Sequence, residues 1–151
     1  MMSHTLIFIP SYFDFVKLRN YFKKNDISSM NLSEYSDNKS IDRSRYLFYH
    51  GKVHFMLLTE RFHFYKRYKI RGINHIIFYE LPHYAEYYSN FCNYMPDAKR
   101  FKNGMTTESF SSTVLYSKFD AQKLCAVVGR NRATHMMNSD KTVHMFMIEE
   151  N

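Results

Sequence analysis

Short apolar runs, each followed within a few residues by a stretch of helical periodicity, constrain this chain more than any other feature. Thr5 to Pro10 reads Thr-Leu-Ile-Phe-Ile-Pro, with no alternation of polar and apolar side chains. A run of that kind suits a strand covered on both faces. Ser11-Tyr-Phe-Asp14 then has capping-box spacing, and Phe15, Leu18 and Phe22 share one helical face. The unit recurs. Ile27 to Leu32 predicts a second strand, and the polar loop Ser33 to Lys39 leads to a helix capped by Ser40 and stopped by Gly51. Val53 to Leu58 and His75 to Tyr79 predict two more strands, and Pro82 precedes a Tyr-rich helix from Tyr84 to Tyr94. After a loop from Pro96 to Phe110 come a strand at Ser112 to Tyr116 and an Asp120-capped helix to Val128, ended by Gly129. A short helix to Met137 and a last strand, Thr142 to Ile148, complete the chain. Six strands alternating with helices in this way predict an α/β fold, a largely parallel sheet with right-handed crossovers and helices on both faces. Leu6, Ile7, Phe8, Leu57, Ile76, Ile77, Val114 and Leu115 are the expected buried strand positions.

At 151 residues the chain is expected to be a single domain over 1–151. A hydrophobic content of 45% with 18% aromatic excludes a disordered chain. The net charge of +7 and pI near 9.4 point to an anionic partner: nucleic acid, an acidic protein or a membrane surface. No apolar run approaches the ~20 residues of a membrane span, and His4 to Pro10 is too short for a signal peptide, so an intracellular protein is expected. Cys92 and Cys125 form no CxxC pair and indicate neither a disulfide framework nor structural zinc.

The densest chemical signal is Arg61 to Arg71, which holds five permanent cations and four aromatic rings in eleven residues without an acid. Cations spaced along a backbone neutralise phosphates, and interleaved rings offer faces for unpaired bases. The alternative is that Phe62, Phe64 and Tyr65 belong to the core and the charges form a solvated rim. Because ligands of such sheets bind beyond the carboxyl ends of the strands, a stretch starting directly after Thr59-Glu60 favours the RNA-facing reading. Arg61, Lys66, Arg67, Lys69 and Arg71 are the candidate phosphate contacts, with Ser11 and Thr59 as strand-end hydroxyls near the RNA backbone.

Phe48-Tyr-His-Gly51-Lys52, the strand ending Thr59-Glu60 and Ile76-Ile-Phe-Tyr-Glu-Leu81-Pro82 together resemble the second RecA-like domain of superfamily 2 helicases. Three longer strings are similar to the digestive organ expansion factor family of helicase-like nucleolar proteins. They are His4-Thr-Leu-Ile-Phe-Ile-Pro-Ser-Tyr-Phe-Asp-Phe-Val, Leu58-Thr-Glu-Arg-Phe-His-Phe-Tyr-Lys-Arg-Tyr and Thr113-Val-Leu-Tyr-Ser-Lys-Phe-Asp-Ala-Gln. The resemblance covers nearly the whole chain but only the carboxyl-terminal portion of the family, whose acidic region and first RecA-like domain are not in it. It implies a nuclear, nucleolar role in the small-subunit processome and in ribosomal RNA maturation. The implied partners are precursor ribosomal RNA, small nucleolar RNA and processome proteins.

The resemblance also shows what is missing. The four glycines, Gly51, Gly72, Gly104 and Gly129, cannot form a phosphate loop. Where an active helicase of this type has Arg-Gly-x-Asp, the chain has Lys66-Arg67-Tyr68-Lys69. Where the arginine-bearing helix should follow Leu-Pro, it has Tyr87 to Tyr94, with no arginine finger. A pseudo-helicase without a nucleotide cofactor is expected. Two further readings stay open: a protein-docking domain whose basic face binds acidic segments of other assembly factors, and a residual ATPase completed by an upstream domain.

Other patterns carry less. His50-x-x-x-His54 has a metal pair's helical spacing but is interrupted by Gly51, so no metal site is expected. Ser11 and Asp14 lack a GxSxG elbow and read as caps. Glu60 reads as a local structural pairing rather than a general base. Tyr84, Tyr87, Tyr88 and Phe91 read as a helix face packed on the sheet rather than a stacking surface, and Met136, Met137, Met145 and Met147 as core or partner-facing filler.

Overall fold

The computed structural model describes residues 3–95 and 110–147. Its elements are β1 (Thr5–Ile9), α1 (Tyr12–Lys24), β2 (Ser29–Leu32), α2 (Asn38–Tyr49), β3 (Phe55–Thr59) and α3 (Glu60–Lys66). There follow β4 (His75–Phe78), α4 (Glu86–Tyr94), β5 (Ser111–Val114), α5 (Ala121–Val128) and α6 (Arg130–Asn138). The strands form one sheet in the order β2-β3-β1-β4-β5, and every pairing is parallel. The expected α/β architecture is the one observed.

The apolar run of β1 is unbroken because β1 is the central strand and is buried along its whole length. Its register places Leu6 between Met56 and Ile76, and Phe8 between Leu58 and Phe78. These side chains point to one face, where Ile41 and Phe48 of α2, Phe62 of α3 and Tyr87 and Phe91 of α4 close over them. Ile7, Ile9 and Leu57 point the other way and meet Phe15 and Phe22 of α1. The pleat's two-residue period thus feeds two cores from one run. α5 and α6 pack on each other and around Leu81, through Leu124, Ala133 and Met136.

Connectivity follows from handedness. The chain moves from β1 across β3 to β2 with α1 on one face, then returns through β3, β4 and β5 with α2, α3 and α4 on the other. Reversing direction and face together keeps all crossovers of one hand, as twisted strands require. The loops after β1 and β3, and those after β1 and β4, therefore leave neighbouring strands toward opposite faces. A crevice at the carboxyl edge results.

Several expectations need correction. Residues 142–147 form no strand, and Ile148 lies outside the described residues, so the described sheet has five strands. Thr142 to Met147 has the apolar composition of a strand but no strand partner among the described residues, and Val143, Met145 and Met147 are exposed. Leu115 lies past the end of β5 and is 48% exposed, while Ile77 and Val114 are half-buried. The cap of α2 is Asp37, not Ser40: the Asp37 carboxylate accepts the Ser40 N–H at 2.7 Å. Ser11 and Asp120 do sit at helix N-caps, but neither side chain bonds its helix; Asp120 instead accepts from the N–H and hydroxyl of Ser117. The loop expected at 96–110 falls outside the described residues except for Phe110. No described helix is long and apolar enough to cross a membrane.

Candidate nucleic-acid interface

At the carboxyl edge β3 runs straight into α3. The Thr59 hydroxyl accepts the Phe62 N–H at 3.1 Å, which caps the helix, and donates to Glu34 Oε2 at 3.0 Å. Thr59 is buried, so its hydroxyl serves the fold at this edge. The helical period then sorts the basic and aromatic stretch. Glu60, Phe62 and His63 turn inward, while Arg61, Phe64, Tyr65 and Lys66 turn to solvent. Arg67 ends the helix in the left-handed region, φ 54°, with its N–H on the His63 carbonyl.

Glu60 holds the crevice together. Its carboxylate accepts the His83 N–H at 2.8 Å and lies 2.6 Å from His83 Nδ1, and the more distant Tyr84 N–H also points at it, 3.4 Å away. The pairing reading of Glu60 is the one the geometry gives: a buried carboxylate ties the start of α3 to the loop after β4. Above it lies a cleft of about 430 Å³ walled by Pro10, Arg61, Phe64, Tyr65, His83 and Tyr84. These residues come from the ends of β1, β3 and β4, which only the sheet order makes neighbours. Phe64 and Tyr84 stack with centroids 5.9 Å apart at 19°, and Tyr65 meets Phe64 edge-on at 5.0 Å. All three rings are exposed.

Further rings extend this edge. Tyr12 and Phe13 open α1, beside the half-buried Ser11, and Tyr35 lies in the loop after β2, its ring 5.4 Å from that of Tyr12. The loops or helix starts after β1, β2, β3 and β4 thus each present at least one exposed ring. Sequence reasoning missed Tyr12, Phe13, Tyr35 and His83 and assigned Tyr84 to the core side of its helix. In the structure Tyr87 and Phe91 are buried, whereas Tyr84 precedes the helix and faces the cleft. Ring-bearing residues placed just after each apolar run were the available signal.

The seven candidate contacts do not form one patch. Arg61 lines the cleft, and Lys66 and Arg67 follow at the C-terminal end of α3, with the Arg67 guanidinium 5.2 Å over the Tyr87 ring. Lys69 and Arg71 descend along α2 toward the amino edge of the sheet. Arg45 donates to the Lys69 carbonyl at 3.1 Å, and Arg71 lies 5.3 Å over Tyr49. Gly72 sits where a Cβ would come within 3.2 Å of the Tyr49 backbone, at a φ of +87°. The segment then reaches the start of β4, where Asn74 bonds the His4 carbonyl.

Beneath the cleft, His63 packs edge-on to Tyr87 at 4.7 Å and beside Phe91 and Tyr94. Among the described residues neither ring nitrogen has a hydrogen-bond partner. Burial, aided by the Arg67 charge, lowers its pKa to about 4, so it is neutral at physiological pH. The described residues bring no three potential metal ligands together. The arrangement offers cations for phosphates and ring faces for bases, with its one central carboxylate already committed to backbone and imidazole hydrogen bonds.

Residues 1–146 match the family described as Utp25, C-terminal domain. The U3 small nucleolar RNA-associated protein 25 homolog of Homo sapiens is 52% identical over 150 residues, covering 99% of this chain and 19% of that protein. Protein NUCLEOLAR FACTOR 1 of Arabidopsis thaliana is 40% identical over 141 residues, covering 93% of this chain and 18% of that protein. The chain therefore spans about a fifth of the length of the curated relatives it matches. Among solved structures, the C-terminal domain of the DEAD-box protein Dbp5 superposes with a TM-score of 0.68 at 14% identity, over 84% of this chain and 69% of that one. That likeness establishes the helicase-type RecA-like fold.

Proposed function

Because the chain belongs to the Utp25 C-terminal domain family, we propose that it is a non-catalytic RNA-binding and assembly module of the small-subunit processome. It works in ribosome biogenesis and ribosomal RNA processing, in the nucleolus. Its RNA partners are precursor ribosomal RNA and small nucleolar RNA, and its protein partners are other processome components.

The observation that carries the RNA reading is the cleft at the carboxyl edge. Arg61, Phe64, Tyr65 and Tyr84 meet there at the point where neighbouring loops diverge, the place where this class of sheet binds ligands. Arg61, Lys66 and Arg67 neutralise phosphates beside it, and the rings offer faces that any base can stack on. Ser11 borders the same edge. Thr59 supports it by capping α3, and Lys69 and Arg71 extend the positive surface away from it.

The non-catalytic part of the reading rests on α4 and α3. The helix following Leu81-Pro82 is Glu-Tyr-Tyr-Ser-Asn-Phe-Cys-Asn-Tyr, which contains no cation to stabilise a transferring phosphoryl group. Lys66-Arg67-Tyr68-Lys69 puts cations where a ribose-binding acid would be needed, and Arg67 lies on the Tyr87 ring.

Ultraviolet crosslinking to precursor RNA with peptide-level mapping tests the assignment. Crosslinks should fall on Arg61 to Tyr65 and on His83 and Tyr84. Crosslinks confined to other peptides, or none above background, overturn the cleft as the RNA site.

A further inference from the structure

On the opposite flank of the sheet, β2 is an edge strand: among the described residues nothing pairs with its outer side. Its four residues, Ser-Met-Asn-Leu, contain no charge, proline or other device that natural edges use to refuse a new strand. A groove of about 700 Å³ follows this edge. α1 forms one wall with Arg19, Asn20 and Lys23, and α2 forms the other with Arg43 and Leu47. The three cations share the groove with a single carboxylate, Asp26, and none of them forms an ion pair with a described residue.

The two walls differ in chemistry. Asn31 pairs with Leu57 in register, so it points to the α1 face, where the wall is cationic. Its Oδ1 is buried without a hydrogen-bond partner among the described residues. Met30 pairs with Met56 and points to the α2 face, where Leu47 and the buried Val53 make the wall largely apolar. An incoming strand alternates its side chains between these faces. We propose that the β2 edge is a docking site for an extended acidic protein segment, which adds to the sheet as a further strand. Its acidic side chains lie along Arg19 and Lys23, and its apolar ones lie along Met30 and Leu47. The free N–H and C=O groups of β2 supply affinity, and the walls supply specificity. Charge selects this occupant over a second copy, because pairing two β2 edges would set the two sets of cations against each other. The site is separate from the carboxyl-edge cleft and does not rest on the RNA reading.

The test uses the whole chain and a short fluorescein-labelled peptide of alternating Glu and Val, followed by fluorescence anisotropy. Saturable binding should weaken at least about tenfold in Arg19→Glu/Lys23→Glu and with a peptide N-methylated at alternate residues, since charge match and backbone bonds both contribute. Thermal melting confirms that the double variant is folded. Amide exchange at 29–32 should slow in the wild-type chain on peptide addition, a readout that needs no variant. No binding, equal binding of the N-methylated peptide or of an alternating Lys and Val peptide, or unchanged exchange at 29–32 overturns the proposal. So does displacement of the peptide by single-stranded RNA, which would make these cations part of the RNA surface.

Discussion

Neutralising the cations near the cleft tests the RNA reading most directly. The perturbation is Arg61→Gln, Lys66→Gln and Arg67→Asn together; asparagine is chosen at 67 because that residue is left-handed, φ 54°, a conformation asparagine tolerates. All three side chains are exposed, and only Arg67 makes a ring contact, with Tyr87, so the fold should survive. Each phosphate contact to a single strand adds about 0.7 to the slope of log affinity against log salt, so the triple variant loses at most roughly two units. Between about 50 and 200 mM salt, a slope difference of that size corresponds to about a twentyfold change in relative affinity. The assay is a salt titration of binding to two unrelated single-stranded RNAs, and both should weaken alike, since phosphate contacts carry no sequence information. Lys69→Gln/Arg71→Gln should change the slope less, because those residues lie along α2 away from the cleft. An unchanged slope in a normally melting triple variant refutes the assignment of these cations to RNA. It would transfer the basic face to acidic protein segments. A collapse in melting temperature would instead make their stems part of the structure.

The buried His63 makes stability pH-dependent. Its folded pKa of about 4 lies below the unfolded value, so between about pH 6.5 and 4 the unfolded state binds more protons and stability falls as pH is lowered. A shift of this order corresponds to about 3 kcal/mol, and His63→Leu should remove that slope in denaturant titrations at pH 7 and pH 5; an identical slope in the variant refutes the assignment. Glu60→Ala strands the His83 and Tyr84 N–H groups and should cost about 2–4 kcal/mol by urea denaturation, whereas under about 1 kcal/mol would show that the pairing does not hold the cleft. No nucleotide turnover is expected with or without RNA; turnover abolished by Lys66→Ala or Arg67→Ala would refute the pseudo-helicase reading.

The alternation of apolar runs and helical periods was legible in the chain because it is local. It gives five of the strands, every described helix except α3, and the parallel class, since burial on both faces leaves no alternation of polar and apolar side chains in β1. The family strings and the unsuitable residues at 66–69 and 87–94 are local too. Boundaries moved by two or three residues wherever a competing cap was available, as when Asp37 rather than Ser40 took the start of α2. The basic and aromatic stretch was seen as one unit, yet one turn of helix divides it into Phe62 and His63 inside and Arg61, Phe64 and Tyr65 outside.

Tertiary structure decided the rest. Thr142 to Met147 has the composition of a strand, but a strand is completed by hydrogen bonds to a partner distant in sequence, and no described partner exists for it. The sheet order β2-β3-β1-β4-β5 likewise lies outside any local signal. It is that order which brings Pro10, Glu60 and His83 to one crevice and leaves β2 open at the edge. Sequence thus determined what each segment is, through periods of two and 3.6 residues that a short window contains. Which segments meet depended on pairing and burial summed over the whole chain, and both candidate surfaces arise from those meetings.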